Sequence, residues 1–228
     1  MKKKLKKAVV SWTGGKDCAL ALYEAKELGY EIVALVTFTP KNAKFLAHPL
    51  QLMKYQAKAM GFVHDIVEIA EPYKESYKKA IKLLRKKYKI DAIVTGDIAE
   101  VGSCTNWMQE CSESTGVSIL RPLWHRDRNE IVNKLIDCKF EVIFSGVKEP
   151  WFTADWVGVR LDNKILDRLK ALHTETGLDI CGENGEYHTQ VLDGPLFRKS
   201  IKIDSYLKQT KDSLSYIDIQ KMTLRDKN

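Results

Sequence analysis

The segment SWTGGKDC, Ser11–Cys18, joins an apolar run (LKKAVVSW) to a helix-like stretch (KDCALALYEAKELGY). Two glycines, a lysine and an aspartate meet at this strand-to-helix corner. Glycine has no Cβ, so the backbone at Gly14 and Gly15 can approach a ligand, and the N–H groups opening the helix point at it. Lys16 adds a positive charge, which makes the corner an anion site. Asp17 fits such a site if Mg²⁺ lies between its carboxylate and phosphate oxygens, because the ion reverses the local charge logic. A plain tight turn with Asp17 as a first-turn acid is the simpler use of these residues. Lysine, aspartate and the strand–helix context together favour the ligand loop. No glycine stands five residues before Gly15, so the corner is not a Walker loop, and it lacks the G-x-G-x-x-G spacing of a dinucleotide loop.

Outward from this corner, strands and helices alternate. EIVALVTFTP is a continuous apolar, β-branched run, as expected of a strand buried on both faces. PLQLMKYQAKAMG reads as a helix stopping at Gly61, FVHDIVEI as a third strand, and PYKESYKKAIKLLRKKY as a helix with Pro72 in its first turn. DAIVTGDI reads as a fourth strand. This order predicts an α/β fold, a parallel sheet flanked by helices with right-handed crossovers. In such sheets ligands sit beyond the carboxyl ends of the strands. The corners to inspect are therefore Ser11–Cys18, the TFTP segment with Thr37, and the TGDI segment with Gly96 and Asp97.

After about residue 122 the pattern changes. DRNEIVNKLIDC reads as a helix with Asp127 and Glu130 in capping-box spacing, and EVIFSGVKEP as a strand. YHTQVLDG, FRKSIKIDSYLKQ and SLSYIDIQKMTL read as strands of an antiparallel extension. The expectation is a smaller, mixed α/β C-terminal lobe.

Bulk composition sets the bounds. The chain has 228 residues, 44% of them apolar, enough for one large core or two modest ones. The net charge of +7 leans on the lysines of MKKKLKK. That run reads as a solvated tail, so nucleic acid is not an expected partner. No apolar run approaches the roughly 20 residues of a membrane span, and no signal peptide is legible. The five cysteines are odd in number and form no CxxC pair. A reducing, cytoplasmic setting is expected.

SWTGGKDC resembles the PP-loop SGGKDS of the ATP pyrophosphatases, with Thr13 and Cys18 at the two serine positions. HPLQLMKYQAKAMG, RPLWHRDRNEIV, CGENGEYHT and VLDGPLF resemble, in order, segments of the diphthine–ammonia ligase family, a branch of the N-type ATP pyrophosphatases. The resemblance runs from about Val9 to Phe197. It implies a HUP-like (Rossmann-like) domain over residues 1–122 and a substrate-binding lobe over 123–228. The activity it implies is ATP cleavage between the α and β phosphates, adenylation of a carboxylate and attack by ammonia. The acceptor in that family is diphthine on translation elongation factor 2; here another carboxylate stays open, because Asn184 and His188 stand where the family usually has glycine and an acid.

The implied cofactors are ATP and Mg²⁺. Ser11, Thr13, Gly14, Gly15, Lys16, Asp17, Cys18, Thr37, Gly96 and Asp97 are the expected nucleotide residues, with Asp17 on the metal. Lys16, Asp17, Glu183 and Glu186 are the expected catalytic residues. His48, Glu183, Glu186, Tyr187 and His188 are the expected acceptor or ammonia contacts. A homodimer stays open. A tRNA-modifying enzyme on the same domain and a non-catalytic adenine-nucleotide module are the alternatives.

Cys18 reads as a variant hydroxyl position, with a first-turn thiol nucleophile as the other reading. Cys104 and Cys111, seven apart, would share a helix face and read as packing. His64 reads as structural, and His125 as lying near the cleft. Trp151, Phe152 and Trp156 read as packing more than as base-stacking residues.

Overall fold

The computed structural model describes residues 5–100 and 107–227. Five strands form a parallel sheet: β1 (Lys7–Ser11), β2 (Glu31–Pro40), β3 (His64–Ile69), β4 (Ala92–Val94) and β5 (Ser118–Leu120), in the order β3-β2-β1-β4-β5. The apolar runs read from the sequence are its central strands. Ala8, Val9 and Val10 of β1 and Ala92, Ile93 and Val94 of β4 are all fully buried, as strands covered on both faces must be. Val9, Val36 and Ile93 pack with Ile81 and Leu84 in one apolar cluster. Chain order runs outward from β1 through β2 to β3, then returns to β4 on the other side. The switch point therefore lies between β1 and β4, where an open α/β sheet places its ligand crevice. This is the parallel α/β sheet that the sequence predicts, in an order that fits the HUP-like (Rossmann-like) domain the resemblance implies.

The helices linking these strands follow the sequence signals closely. They are α1 (Lys16–Glu27), α2 (Leu50–Met60), α3 (Tyr73–Tyr88) and the short α4 (Trp107–Ser112). Gly61 ends α2 in the left-handed conformation at φ 76°, its N–H reaching the carbonyls of Ala57 and Lys58, a role for which glycine is the default residue. Pro72 stands at the N-cap of α3, one position earlier than the sequence reading puts it. Cys104 lies outside the described residues, and Cys111 is buried in α4.

A second sheet has four antiparallel strands, β6 (Glu141–Lys148), β7 (Tyr187–Asp193), β8 (Lys199–Lys211) and β9 (Leu214–Asp226), in the order β7-β6-β9-β8. Two helices accompany it, α5 (Arg128–Asp137) and α6 (Asn163–Thr176). Phe152 and Trp156 pack with Phe144 and Tyr187 in an aromatic cluster, so the aromatic segment is packing, as read.

Contacts divide the chain into two units that are not continuous in sequence. The first takes the chain up to Thr13, then Asp17–Ala43 and Phe62–Trp124. The second takes Gly14–Lys16, Lys44–Gly61 and the chain from His125. Helix α2 and three residues of the glycine loop thus belong with the antiparallel sheet. Among the described residues no helix is long and apolar enough to cross a membrane.

The start of α5 gives a direct test of local structure. The Asp127 carboxylate accepts hydrogen bonds from the N–H groups of Asn129 at 2.9 Å and Glu130 at 3.1 Å. Asp127→Ala should lower stability by about 1 kcal/mol, and Asp127→Asn should keep most of it. Urea denaturation of the two variants checks this, and equal losses would argue against a side-chain cap.

Candidate functional site

The first unit has a cavity of about 380 Å³ at the carboxyl ends of β1 and β4, within the range of small-ligand pockets. Ser11, Thr13, Asp17 and Cys18 line it from the glycine-loop corner, and Thr95, Gly96 and Asp97 from the end of β4. The Thr13 hydroxyl donates to Cys18 Sγ at 3.6 Å, and the Thr95 hydroxyl donates to Asp97 Oδ2 at 2.7 Å. Gly96 is required by close approach: a Cβ there would lie 2.6 Å from the Asp17 carbonyl carbon and the Cys18 nitrogen. Arg121, 3.9 Å from the centre of the Trp124 ring, adds a stacked guanidinium to the lining. The cavity thus brings together six of the expected nucleotide residues.

Thr37 goes elsewhere. Its hydroxyl donates to the Trp12 carbonyl at 2.7 Å and meets His64 Nε2 at 2.8 Å, tying β2 to the chain leaving β1. His64 is accordingly a packing residue, as read, and His125 is exposed at φ 55°. Among the described residues no three His, Cys, Asp or Glu side chains are gathered around a metal position. Mg²⁺ does not require such a cage, since it takes one or two carboxylates with phosphate oxygens. Asp17 and Asp97, both on the cavity wall, suit it.

In the second unit, Gly14–Lys16 lies along the open edge of β7. The Gly14 carbonyl accepts from Val191 N at 3.0 Å and from Gln56 Nε2 at 2.9 Å. The Lys16 N–H donates to Thr189 Oγ1 at 3.1 Å. Gly14 has φ 78°, and a Cβ on it would lie 2.4 Å from the amide oxygens of both Gln56 and Gln190. Only glycine fits there. Lys16 is 2% exposed; its Nζ donates to the Cys181 carbonyl at 2.6 Å and lies 5.3 Å from the Tyr187 ring centre.

The CGENG turn precedes β7. Glu186, also 2% exposed, accepts at Oε1 from Asp179 N at 3.0 Å and from Asn184 Nδ2 at 3.3 Å. Its Oε2 has no hydrogen-bond partner among the described residues. Glu183 is half-buried in the same turn. Tyr187 is buried, its hydroxyl donating to the Ile180 carbonyl at 2.6 Å and its ring in the aromatic cluster. Its part is to hold the turn.

His48 and His188 meet at 3.3 Å, and Gln190 Nε2 contacts His48 Nδ1 at 2.7 Å. Burial, then the positive charge of His48, Lys148 and Lys16, pushes the His188 imidazole down from its ordinary 6.5 to about 4. Sequence reading missed Gln56, Thr189, Gln190, Arg121 and Lys148. Gln56 alone carries a signal: it occupies a core position of α2, on the face of Leu52, Met53 and Met60.

Two family models match the chain. One, described as the diphthamide synthase N-terminal domain, covers residues 6–119, and the other, the diphthamide synthase C-terminal domain, covers 127–224. The chain belongs to the diphthamide synthase family. SWTGGKDC, His48, Gln56 and the TGDI corner fall in the N-terminal match, and CGENGEYHT in the C-terminal one. A diphthine–ammonia ligase from Bos taurus is 26% identical over 220 residues, covering 85% of this chain and 81% of the relative. One from Schizosaccharomyces pombe is 27% identical over 212 residues, covering 83% of this chain. This chain spans only about a third, 34%, of that longer relative. A 7-cyano-7-deazaguanine synthase from Bdellovibrio bacteriovorus is 28% identical over 161 residues, covering 71% of this chain and 63% of the relative.

Two outcomes follow from this geometry. Gly96→Ala should destabilise the protein by about 1–3 kcal/mol, because the clash is with backbone that cannot swing away. A variant as heat-stable as the parent would contradict the close approach. For His188, only the unfolded state takes up the proton between about pH 6.5 and pH 4. Stability should therefore fall as pH drops through that window, and His188→Asn should lose less of it. Urea denaturation at pH 7 and pH 5 distinguishes the two proteins.

Proposed function

We propose that this chain is an ATP-dependent, amide-forming ligase that adenylates a carboxylate and transfers it to ammonia. In the first step a carboxylate oxygen attacks the α-phosphorus of ATP and pyrophosphate leaves. In the second, ammonia attacks the acyl carbon, AMP leaves, and the nitrogen loses a proton. The acceptor is diphthine on translation elongation factor 2, or a carboxylate related to it. The cytoplasm, where that factor works, is the matching compartment.

The observation that carries this reading is the cavity where β1 and β4 end. Its lining combines hydroxyls (Ser11, Thr13), a bare backbone approach (Gly96) and two carboxylates (Asp17, Asp97). These residue types suit a polyphosphate and its cation. Mg²⁺, held by Asp17 and Asp97, would supply charge neutralisation of the leaving pyrophosphate.

Glu186 is assigned to ammonia. It is a buried carboxylate with one satisfied oxygen and one oxygen without a partner. Such an acceptor suits an ammonium ion or the proton lost on attack. Glu183 supports the same turn.

The test is a stoichiometry. With ATP, Mg²⁺, ammonium and diphthine-bearing elongation factor 2, AMP and pyrophosphate should appear one for one with amide. ADP in their place would sink the mechanism. Glu186→Gln should slow amide formation by about 100-fold or more while ATP binding is kept. Loss of ATP affinity in that variant would remove Glu186 from its assigned role.

A further inference from the structure

The β6–β7 pair carries a second set of polar atoms that the proposed chemistry leaves unused. Lys148 closes β6 opposite Glu186, its N–H donating to the Glu186 carbonyl at 2.9 Å. Its Nζ lies beside Gly185, 3.3 Å from where a Cβ would stand. Two residues earlier, Gly146 pairs with His188, and His188 Cδ2 lies 3.5 Å from the position of a Cβ on Gly146. Strand alternation puts Lys148 on the face of Gly146. Lys148 and His188 are therefore diagonal neighbours, a relation that spans roughly 7 Å between strands.

The hydrogen-bond partners assign the proton on His188. Gln56 Nε2 lies 2.8–3.1 Å from three oxygens, those of Gly14, Val191 and the Gln190 amide, so it is the nitrogen end that faces them. Gln190 then presents its oxygen to Gln56 and its nitrogen to His48 Nδ1. His48 Nδ1 accepts, which leaves its proton on Nε2 to be donated to His188 Nδ1. The His188 proton is accordingly on Nε2. That N–H has no hydrogen-bond partner among the described residues, and the half-buried Lys148 has no ion pair among them.

We propose that Lys148 Nζ and His188 Nε2–H form a seat for a carboxylate of the acceptor. The inference rests on the ligase reading above and names how that enzyme recognises its substrate. One ammonium and one neutral N–H supply a single positive charge and two donors, which matches the one negative charge and two oxygens of a carboxylate. A phosphate dianion is disfavoured, because Glu183 and Glu186 stand in the adjoining turn. Gly146 is held bare by the close approach of Ala47, whose Cβ would lie 2.7 Å from a Cβ there, so no side chain on β6 comes between His188 and Lys148.

The protonation state agrees with this use. His188 is held below its ordinary value by burial first, and the ammonium groups of Lys148, on β6, and Lys16, at the start of α1, add positive charge that acts the same way. A bound carboxylate offsets that positive field, so binding must raise the His188 titration midpoint.

The test uses the whole protein labelled with ¹⁵N-histidine, sodium acetate as the probe, and sodium chloride at equal ionic strength as the control. Acetate should shift the His188 Nε2 resonance saturably and move its midpoint above about 4. Lys148→Met should raise the half-saturating acetate about tenfold or more. His188→Asn, which keeps an N–H donor, should retain acetate binding, whereas His188→Phe should lose it. Acetate indistinguishable from chloride, or saturation unchanged in Lys148→Met, would overturn the seat. Methyl phosphate binding more tightly than acetate would overturn the choice of carboxylate. AMP release is measured separately. Its absence with the acetate response intact counts against the ligase reading alone, and an acceptor KM unmoved by Lys148→Met in an AMP-releasing enzyme counts against the seat alone.

Discussion

The carbonyl of Gly14 accepts two hydrogen bonds, from Val191 N at 3.0 Å and Gln56 Nε2 at 2.9 Å, and these bonds fix the course of the glycine loop. Strand β7 is an edge strand of its sheet, and an edge presents backbone groups that need partners. Gly14–Lys16 covers part of that edge. The loop pairs there only because Gly14 has φ 78° and no side chain to meet the two glutamines. A residue type that reads locally as freedom to approach a ligand therefore also serves as a joint to a strand some 175 residues later in the chain.

The same joint governs the buried charges of the second unit. A lysine 2% exposed must be given acceptors or lose its proton. Lys16 meets the Cys181 carbonyl and the Tyr187 ring. Tyr187 is in turn held by the Ile180 carbonyl and the aromatic cluster. Glu186 is placed by backbone and amide donors to one oxygen only. Buried acceptors without partners are rare and call for an explanation. Glu186 Oε2 is one such acceptor.

Local chemistry made much of this legible in the sequence. The β1–α1 corner, the apolar central strands, the Asp127 cap and the Gly61 stop are all short-range patterns, and each appears where expected. β5, with three residues, is too short to show a period. α6 has legible signals, with Asp162 capping its start and Gly177 its end, but the sequence reading passes over them for the aromatic segment before it. What no local pattern encodes is the bond between Gln56 and Gln190, or between Lys16 and Thr189. Thr37 shows the opposite failure. A hydroxyl beyond a strand centre suggests a ligand, yet two packing partners claim it.

The chain of amides and imidazoles from Gly14 to His188 has one further property, its direction. Backbone carbonyls can only accept, so the contacts of Gln56 with Gly14 and Val191 orient its amide. Gln190, His48 and His188 continue the chain at 3.1, 2.7 and 3.3 Å. Replacing any one link by a residue of opposite polarity would reverse the remaining bonds or leave a buried group unpaired, which costs more than the bond itself contributes. The fold that holds the glycine loop is thereby coupled to the imidazole pair beside Lys148. Loop geometry and the donor pattern of this imidazole pair thus rest on the same backbone carbonyls.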